Sequence, residues 1–402
     1  MISKEKEEVM KTGRSHAALD WFRLAAAFLV IAIHTSPLSS FSEAADFFLT
    51  RVLARVAVPF FFMVTGQFVL SGLFADECGI RREKTETGDG EMGNPTGRGQ
   101  ASAKVRRYLK KAGLLYIGAV LLYVPLGIYA GHYKGIGLGK ALKMLIFDGT
   151  FYHLWYFPAC ILGTALIWLF SRYLPYRQLF VLTVFLYVLA LLGDSYFGLT
   201  AKLPLLSHIY ETGFKISSYT RNGLLFAPVF LMLGAGYGMQ KEGTGYGGRN
   251  QGLGRGTLFG GLIVFFLLMT AEAFLLRHLD WQRHDSMYIS LPFVMVFLYS
   301  LLESAGSLVT SGLEGKPDQV SPPSINEPAA SAGPALRAIT AWMYVLHPAV
   351  IVAVRLGAKA MHLNKLLVNQ SLVHYVIVGI ISLVAGWVIW KIKELWRYGK
   401  SL

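Results

Sequence analysis

The chain is poor in charge. Of its 402 residues 15% are Asp, Glu, Lys or Arg, whereas 54% are hydrophobic; soluble domains run nearer ~25% charged. A water-soluble protein of this size has too little interior to hide so much apolar side chain. That excludes an ordinary soluble enzyme and a disordered chain. Cysteine is scarce too: Cys78 and Cys160 are the only two. They cannot staple a secreted disulfide scaffold, and no redox compartment follows from them. Acidic residues are outnumbered, 24 against 38 Lys and Arg, for a formal charge of +14. In so apolar a chain this surplus suits loops facing an anionic inner leaflet better than it suits nucleic acid, so no nucleic-acid partner is expected. No internal repeat relates the two halves, which counts against a repeat-built transporter.

Long apolar stretches are abundant. A helix needs ~20 mostly apolar residues to cross the hydrocarbon layer. Ten segments qualify: 17–36, 47–72, 105–130, 152–171, 178–196, 222–240, 256–277, 286–303, 336–357 and 372–392. The first is too long for a signal-peptide core and lacks a small-residue cleavage site, so it is expected to be retained. Basic residues counted loop by loop fall twenty-four to one side and ten to the other. The richer side should face the cytoplasm, which puts both termini inside. The expected fold is thus all-α, a polytopic membrane helix bundle of about ten transmembrane helices forming one domain over 1–402. Residues 76–103, 241–256 and 304–334 are rich in Gly, Pro, Ser and charge and read as flexible cytoplasmic loops. Gly243, Gly245, Gly247 and Gly248 superficially resemble a dinucleotide fingerprint. No strand precedes them, so they read as linker.

Ionisable residues inside spans are expensive and normally face a partner or a polar cavity. On the first span Arg23 and His34 lie eleven residues apart. That is close to a whole number of turns, so they share a face roughly 16 Å apart along the axis. Asp20, three residues before Arg23, lies on nearly the same face and can pair with it. A blander reading lets Arg23 snorkel to headgroups while His34 marks the outer interface. On the second span Arg51 and Arg55 are four apart, a spacing that repels, and they fall at the depth of His34. Two such arginines want an anion or a developing negative charge. Pro59 follows in the same span and frees a backbone carbonyl. His153 and Trp155 open the fourth span, Arg221 opens the sixth, and His347 precedes Pro348 in the ninth. An aromatic belt explains Trp155 equally well, and His347–Pro348 reads either as a site or as a kink. No cluster of metal-ligand spacing is apparent.

These strings resemble the acyltransferase-3 family of integral membrane O-acyltransferases. The likeness rests on Leu19-Asp20-Trp21-Phe22-Arg23 with His34, on Arg55 through Pro59-Phe60-Phe61-Phe62-Met63-Val64-Thr65-Gly66, on His153-Leu154-Trp155-Tyr156, and on Tyr344–His347. Ala32-Ile33-His34-Thr35 and the segment from Arg221 to Pro228 are also similar to the membrane domain of serine racemases and to the O-acetyltransferase of enterobacterial common antigen. The resemblance implies a bacterial cell membrane and makes Arg23 and His34 an essential pair, with His34 catalytic. It also implies a basic site for acyl-CoA at Arg106, Arg107 and Lys110, where Lys110 stands in the place of a family arginine. With no pyridoxal-phosphate domain in these 402 residues, racemase activity is not expected of them.

On that basis the expected reaction moves an acyl group, acetyl in the simplest form, from cytoplasmic acyl-CoA to a hydroxyl of a cell-surface glycan or glycolipid. His34 would be general base, and Arg51 or Arg55 would hold the oxyanion. Asp20, His153, Trp155, Arg221 and His347 would contact substrate. No tightly bound cofactor is needed, and the expected partners are membrane lipid, the acyl-CoA donor and the envelope acceptor. The His-x4-Asp spacing of soluble acyltransferases is absent from the chain. The alternative is transport of a small amino acid such as L-serine, which the likeness to racemase membrane domains implies.

Overall fold

The computed structural model describes residues 16–78, 97–242, 253–311 and 332–398. Among these the regular structure is helical throughout. In chain order the principal helices are α1 (Ala17–Thr35), α2 (Ala57–Thr65), α3 (Gly97–Tyr129), α4 (Tyr156–Phe170), α5 (Tyr176–Leu192), α6 (Pro204–Ile216) and α7 (Ala227–Glu242). They continue with α8 (Arg255–His278), α9 (Leu291–Ser311), α10 (Ala332–Ala360) and α11 (Ser371–Tyr398). Each of the ten segments chosen by hydropathy contains an apolar helix. By length and composition six helical runs can cross a membrane: α1, α3, α8, α10, α11 and the continuous run Glu43–Ala75. Shorter apolar helices fill the other four segments. All-α architecture of polytopic membrane type is therefore what the sequence folds into. Several helices overrun the expected loops: α3 begins at Gly97, α9 extends to Ser311 and α10 starts at Ala332. Within those expected loops, residues 79–96, 243–252 and 312–331 lie outside the described residues.

The second hydrophobic segment is the irregular one. From Glu43 to Cys78 it passes through α, π (Phe48–Val52), 3-10 (Leu53–Val56), α, π (Gly66–Leu70) and 3-10 (Ser71–Cys78) turns. Pro59 has no N–H to give to the Arg55 carbonyl, and the change from 3-10 to α winding occurs just upstream of it. Arg51 and Arg55 consequently sit on π and 3-10 turns and not on one regular helical face.

The chain forms two compact units, one of 1–57, 255–264 and 293–402, the other of 58–254 and 265–292. In the first, α10 packs on α11 and on α1, and α1 also packs on both irregular turns, 48–52 and 53–56. Ala27, Ile31, Ile339, Met343, Ile351, Val354 and Val378 make its buried core. In the second, α7 packs along the run 66–78 and against α4 and α5. That pairing is glycine-dependent. A Cβ on Gly66 would lie 1.9 Å from the Leu231 carbonyl oxygen, and one on Gly234 would lie 1.9 Å from that of Met63. Where lipid offers no hydrophobic drive, such backbone-on-backbone contact is what holds helices together.

Candidate functional site

In the first unit two polar clusters flank the apolar stretch of α1. Asp20 is buried, and its carboxylate accepts from Arg23 on one oxygen and from Arg337 Nη1 on the other, the latter at 2.6 Å. The Asp20–Arg23 pair follows from their spacing on α1, whereas Arg337 comes from α10, a contact that no spacing within α1 encodes. A Cβ on Gly333, one turn before Arg337, would come 2.6 Å from Asp20 Oδ2, so this glycine makes room for the carboxylate. Arg23 is itself buried. The triad therefore anchors α1 to α10 and gives Arg23 a structural partner, so snorkelling is not needed to explain it.

Eleven residues along α1, the His34 ring stacks on His347 of α10, with centroids 5.3 Å apart and planes at 22°. His347 is completely buried. Its Nδ1 lies 2.8 Å from the Tyr344 carbonyl oxygen and 3.2 Å from that of Met343. The His–Pro step explains this. Pro348 lacks the N–H that would otherwise bond the Tyr344 carbonyl, four residues before it, so the histidine side chain supplies a donor. Carbonyls only accept, so Nδ1 must carry the proton, and in the neutral ring Nε2 is then the basic nitrogen. The proline thus sets the tautomer of His347. Tyr344 adds an edge-on ring contact to His347 at 5.9 Å. Arg51 is half-buried and Arg55 buried, on the two turns that pack against α1. His34, His347, Arg51, Arg55, Asp20 and Arg23 therefore belong to one compact unit.

The remaining expected residues belong to the second unit, in two places. His153 is buried in an aromatic nest, edge-on to Tyr123 at 4.8 Å and beside Phe151 and Tyr152. The loop carrying it leaves Gly149 at φ +79°, where a Cβ would strike the Trp155 nitrogen at 2.4 Å. Nearby, the Arg221 guanidinium sits 5.1 Å from the Trp155 ring and 4.4 Å from that of Tyr219. Its Nη1 donates to Ser286 Oγ at 3.2 Å. Asn222 holds this turn. Its amide nitrogen donates to Ser217 Oγ and the Tyr219 carbonyl, and its oxygen accepts from the Leu224 and Leu225 amides. Arg283 lies over Phe214 at 3.5 Å and donates to the Ser218 carbonyl. Burial there lowers its pKa while Asp194 raises it, and a guanidinium keeps its charge under such a shift. Tyr219 and Arg283 fall between spans and Ser286 is an uncharged residue at the edge of one, so none carries the signal of an ionisable group inside a span.

Elsewhere in this unit Arg106, Arg107 and Lys110 are exposed on α3. Arg106 alone of the three lines a cavity, of about 570 Å³, shared with Arg98, Gly99, Ser102, Trp168 and Arg172. Arg107 Nε turns back to the Ala103 carbonyl at 3.4 Å.

A family model described as an acyltransferase domain matches residues 16–391, which includes both clusters on α1 and the Arg221 turn. The chain belongs to the acyltransferase-3 family. Within it, similarity runs to amino-acid racemases. One from Enterococcus faecalis is 35% identical over 382 residues, 94% of this chain and 46% of the racemase. A second from the same organism is 34% identical over 385 residues, 95% and 47%. The serine/alanine racemase of Enterococcus gallinarum is 30% identical over 370 residues, 91% and 45%. This acyltransferase-3 member therefore spans less than half the length of the curated relatives it matches. No solved structure matches it.

Proposed function

We propose that this chain is a membrane module that moves a small hydroxy amino acid of the L-serine type through a site built around His34 and His347. The observation that carries this is the match of nearly the whole chain to less than half of each racemase. A multi-helix membrane segment joined to an enzyme acting on amino acids is most economically a supply route for that amino acid. The chemistry of the first unit suits the cargo. Arg55 or Arg51 offers a fork for an α-carboxylate, and an imidazole accepts or donates to a side-chain hydroxyl. The proline-interrupted helices are of the kind that line transport sites.

A second reading is favoured by the His34–His347 stack and by the family model. Here His34 acts as general base in acyl transfer from acyl-CoA. The acceptor hydroxyl oxygen attacks the thioester carbonyl carbon, its proton passes to imidazole, and the C–S bond breaks to release coenzyme A, whose thiolate takes the proton back. Arg55 would face the tetrahedral oxyanion. The acceptor would be a glycan or glycolipid hydroxyl of the cell envelope.

Purified protein in proteoliposomes separates the two. Saturable uptake of labelled L-serine, lost in His347→Phe and needing no acyl-CoA, supports transport. Label passing from acetyl-CoA to an added hydroxyl acceptor, with no uptake above empty vesicles, would overturn it in favour of acyl transfer.

A further inference from the structure

In the second unit α6 is amphipathic. Leu205, Ile209 and Ile216 follow at intervals of four and seven residues, which puts them on one face, and all three are exposed. Ser207, His208, Glu211 and Lys215 take the far side. In a polytopic membrane protein such a helix lies at the interface with its apolar stripe in lipid. Beside the stripe is a cavity of about 430 Å³, walled by Leu189 and Leu192 of α5, Leu206, Ile209 and Phe214 of α6, and Leu225 of the turn that follows. Ile209 belongs to both the stripe and the wall, so the cavity opens where α6 meets lipid. Its size falls within the ~300–1,000 Å³ of ligand pockets.

The polar side chains of this wall bond to the protein and leave hydrocarbon facing the space. Tyr210 Oη donates to the Leu189 carbonyl at 2.7 Å, and Thr220 Oγ1 to that of Ala190 at 2.8 Å. Ser217 Oγ donates to the Tyr219 carbonyl and accepts from Asn222 Nδ2. A water needs roughly two to four polar partners and is poorly held there. An amino acid or a sugar hydroxyl would lose its hydrogen bonds on entering; an alkyl chain loses none. One end of the cavity carries charge. The Phe214 carbonyl accepts from Lys143 Nζ, and the Arg283 guanidinium lies 3.5 Å from the centre of the Phe214 ring. Arg221, over the Tyr219 ring, is a third cation. The acids there are Asp148, which accepts from the Ser218 amide, and Asp194, whose field reaches Arg283. The surplus is positive and suits an anionic headgroup. We infer that the cavity holds one hydrocarbon chain of an anionic glycerophospholipid, with its headgroup against Lys143 and Arg283. The site does not depend on whether the His34–His347 pair transports or acylates.

The test uses the full chain in phosphatidylcholine vesicles holding a trace of phosphatidylglycerol with a diazirine on one acyl chain. Light fixes the chain to whatever it touches, and proteolysis with mass spectrometry maps the attachment. Label should concentrate on the cavity wall, at 189–192, 206–214 and 225, above its level on the exposed face of α8. Added unlabelled phosphatidylglycerol should suppress the cavity label, and the same amount of phosphatidylcholine should not. Gly213 lines the cavity and nothing lies within 4 Å of a Cβ built on it. Gly213→Leu therefore fills the space without a clash and should lower cavity labelling by about 10-fold, as should Leu225→Trp. Gly118→Leu on α3, equally free of neighbours, should leave it unchanged. Lys143→Gln combined with Arg283→Gln should remove the preference for phosphatidylglycerol. The inference is overturned if the cavity labels no more than α8, if phosphatidylcholine competes as well, if the paired variant keeps the preference, or if Gly213→Leu acts no more strongly than Gly118→Leu. Should Leu225→Trp misfold, Gly213→Leu still decides the matter, because leucine is the better helix former.

Discussion

Replacing Asp20 by asparagine should be among the costliest single-atom changes available in this protein. The Asp20 side chain is 2% exposed, and both carboxylate oxygens are engaged, one by Arg23 and one by Arg337. Asparagine has the same shape but turns one oxygen into an NH₂, which then points donors at a guanidinium. Stranding one member of a buried ion pair costs ~3–5 kcal/mol. The two arginines do not share that cost equally. Arg23 is 11% exposed and has little water to turn to, whereas Arg337 is 47% exposed and falls toward the ~0–1 kcal/mol of surface pairs. Asp20→Asn should therefore lose about 3 kcal/mol, and Arg337→Gln about 1 kcal/mol or less. Arg23→Gln together with Asp20→Asn should cost clearly less than the sum of the two, because no buried charge is left stranded. Equilibrium unfolding of the purified protein in mixed micelles of dodecyl maltoside and dodecyl sulfate, followed by tryptophan fluorescence, measures all four. If Asp20→Asn proved no more costly than Arg337→Gln, the triad would not be what ties α1 to α10.

Pro348→Ala restores an N–H to the Tyr344 carbonyl, which then competes for the nearer of the two carbonyls that hold the His347 ring. Turnover in the uptake or acyl-transfer assay should fall at least several-fold while unfolding shows equal or greater stability; unchanged turnover would mean the proline does not set the tautomer. If the acyl-transfer reading holds, His34→Ala should lower turnover by roughly 10²–10⁴-fold with little change in donor affinity, and a change confined to KM would remove it as base. Gly234→Ala should destabilise by about 2 kcal/mol or more, since its Cβ meets backbone and not a movable side chain. Gly260→Ala, with nothing within 4 Å of the new Cβ, should be neutral or stabilising by up to ~1 kcal/mol. Arg221→Lys keeps the charge but loses the planar stack between Trp155 and Tyr219, so thermal stability should drop in the variant and be little changed in Arg177→Lys.

The helical class and the places of the apolar segments were legible in the residues alone, because lipid forces each crossing stretch to satisfy its own backbone and so to be long, apolar and helical. So was the Arg23–His34 stripe, since helical period alone puts both on one face, and so was the Asp20–Arg23 pair three residues apart. Tertiary structure decided the rest. Arg337 meets Asp20, and His347 stacks on His34, across more than three hundred residues of chain, and no local spacing records such a contact. The regular helix expected through Arg51 and Arg55 is replaced by π and 3-10 turns; Pro59 signalled a missing hydrogen bond but not how the preceding turns would rearrange. His153 read as an interfacial residue and lies buried among Tyr123, Phe151 and Tyr152. Of the basic run on α3, Arg106 alone joins the cavity with Trp168 and Arg172, because which of several adjacent cations faces a neighbouring helix depends on how that helix packs, and packing is a property of the folded chain.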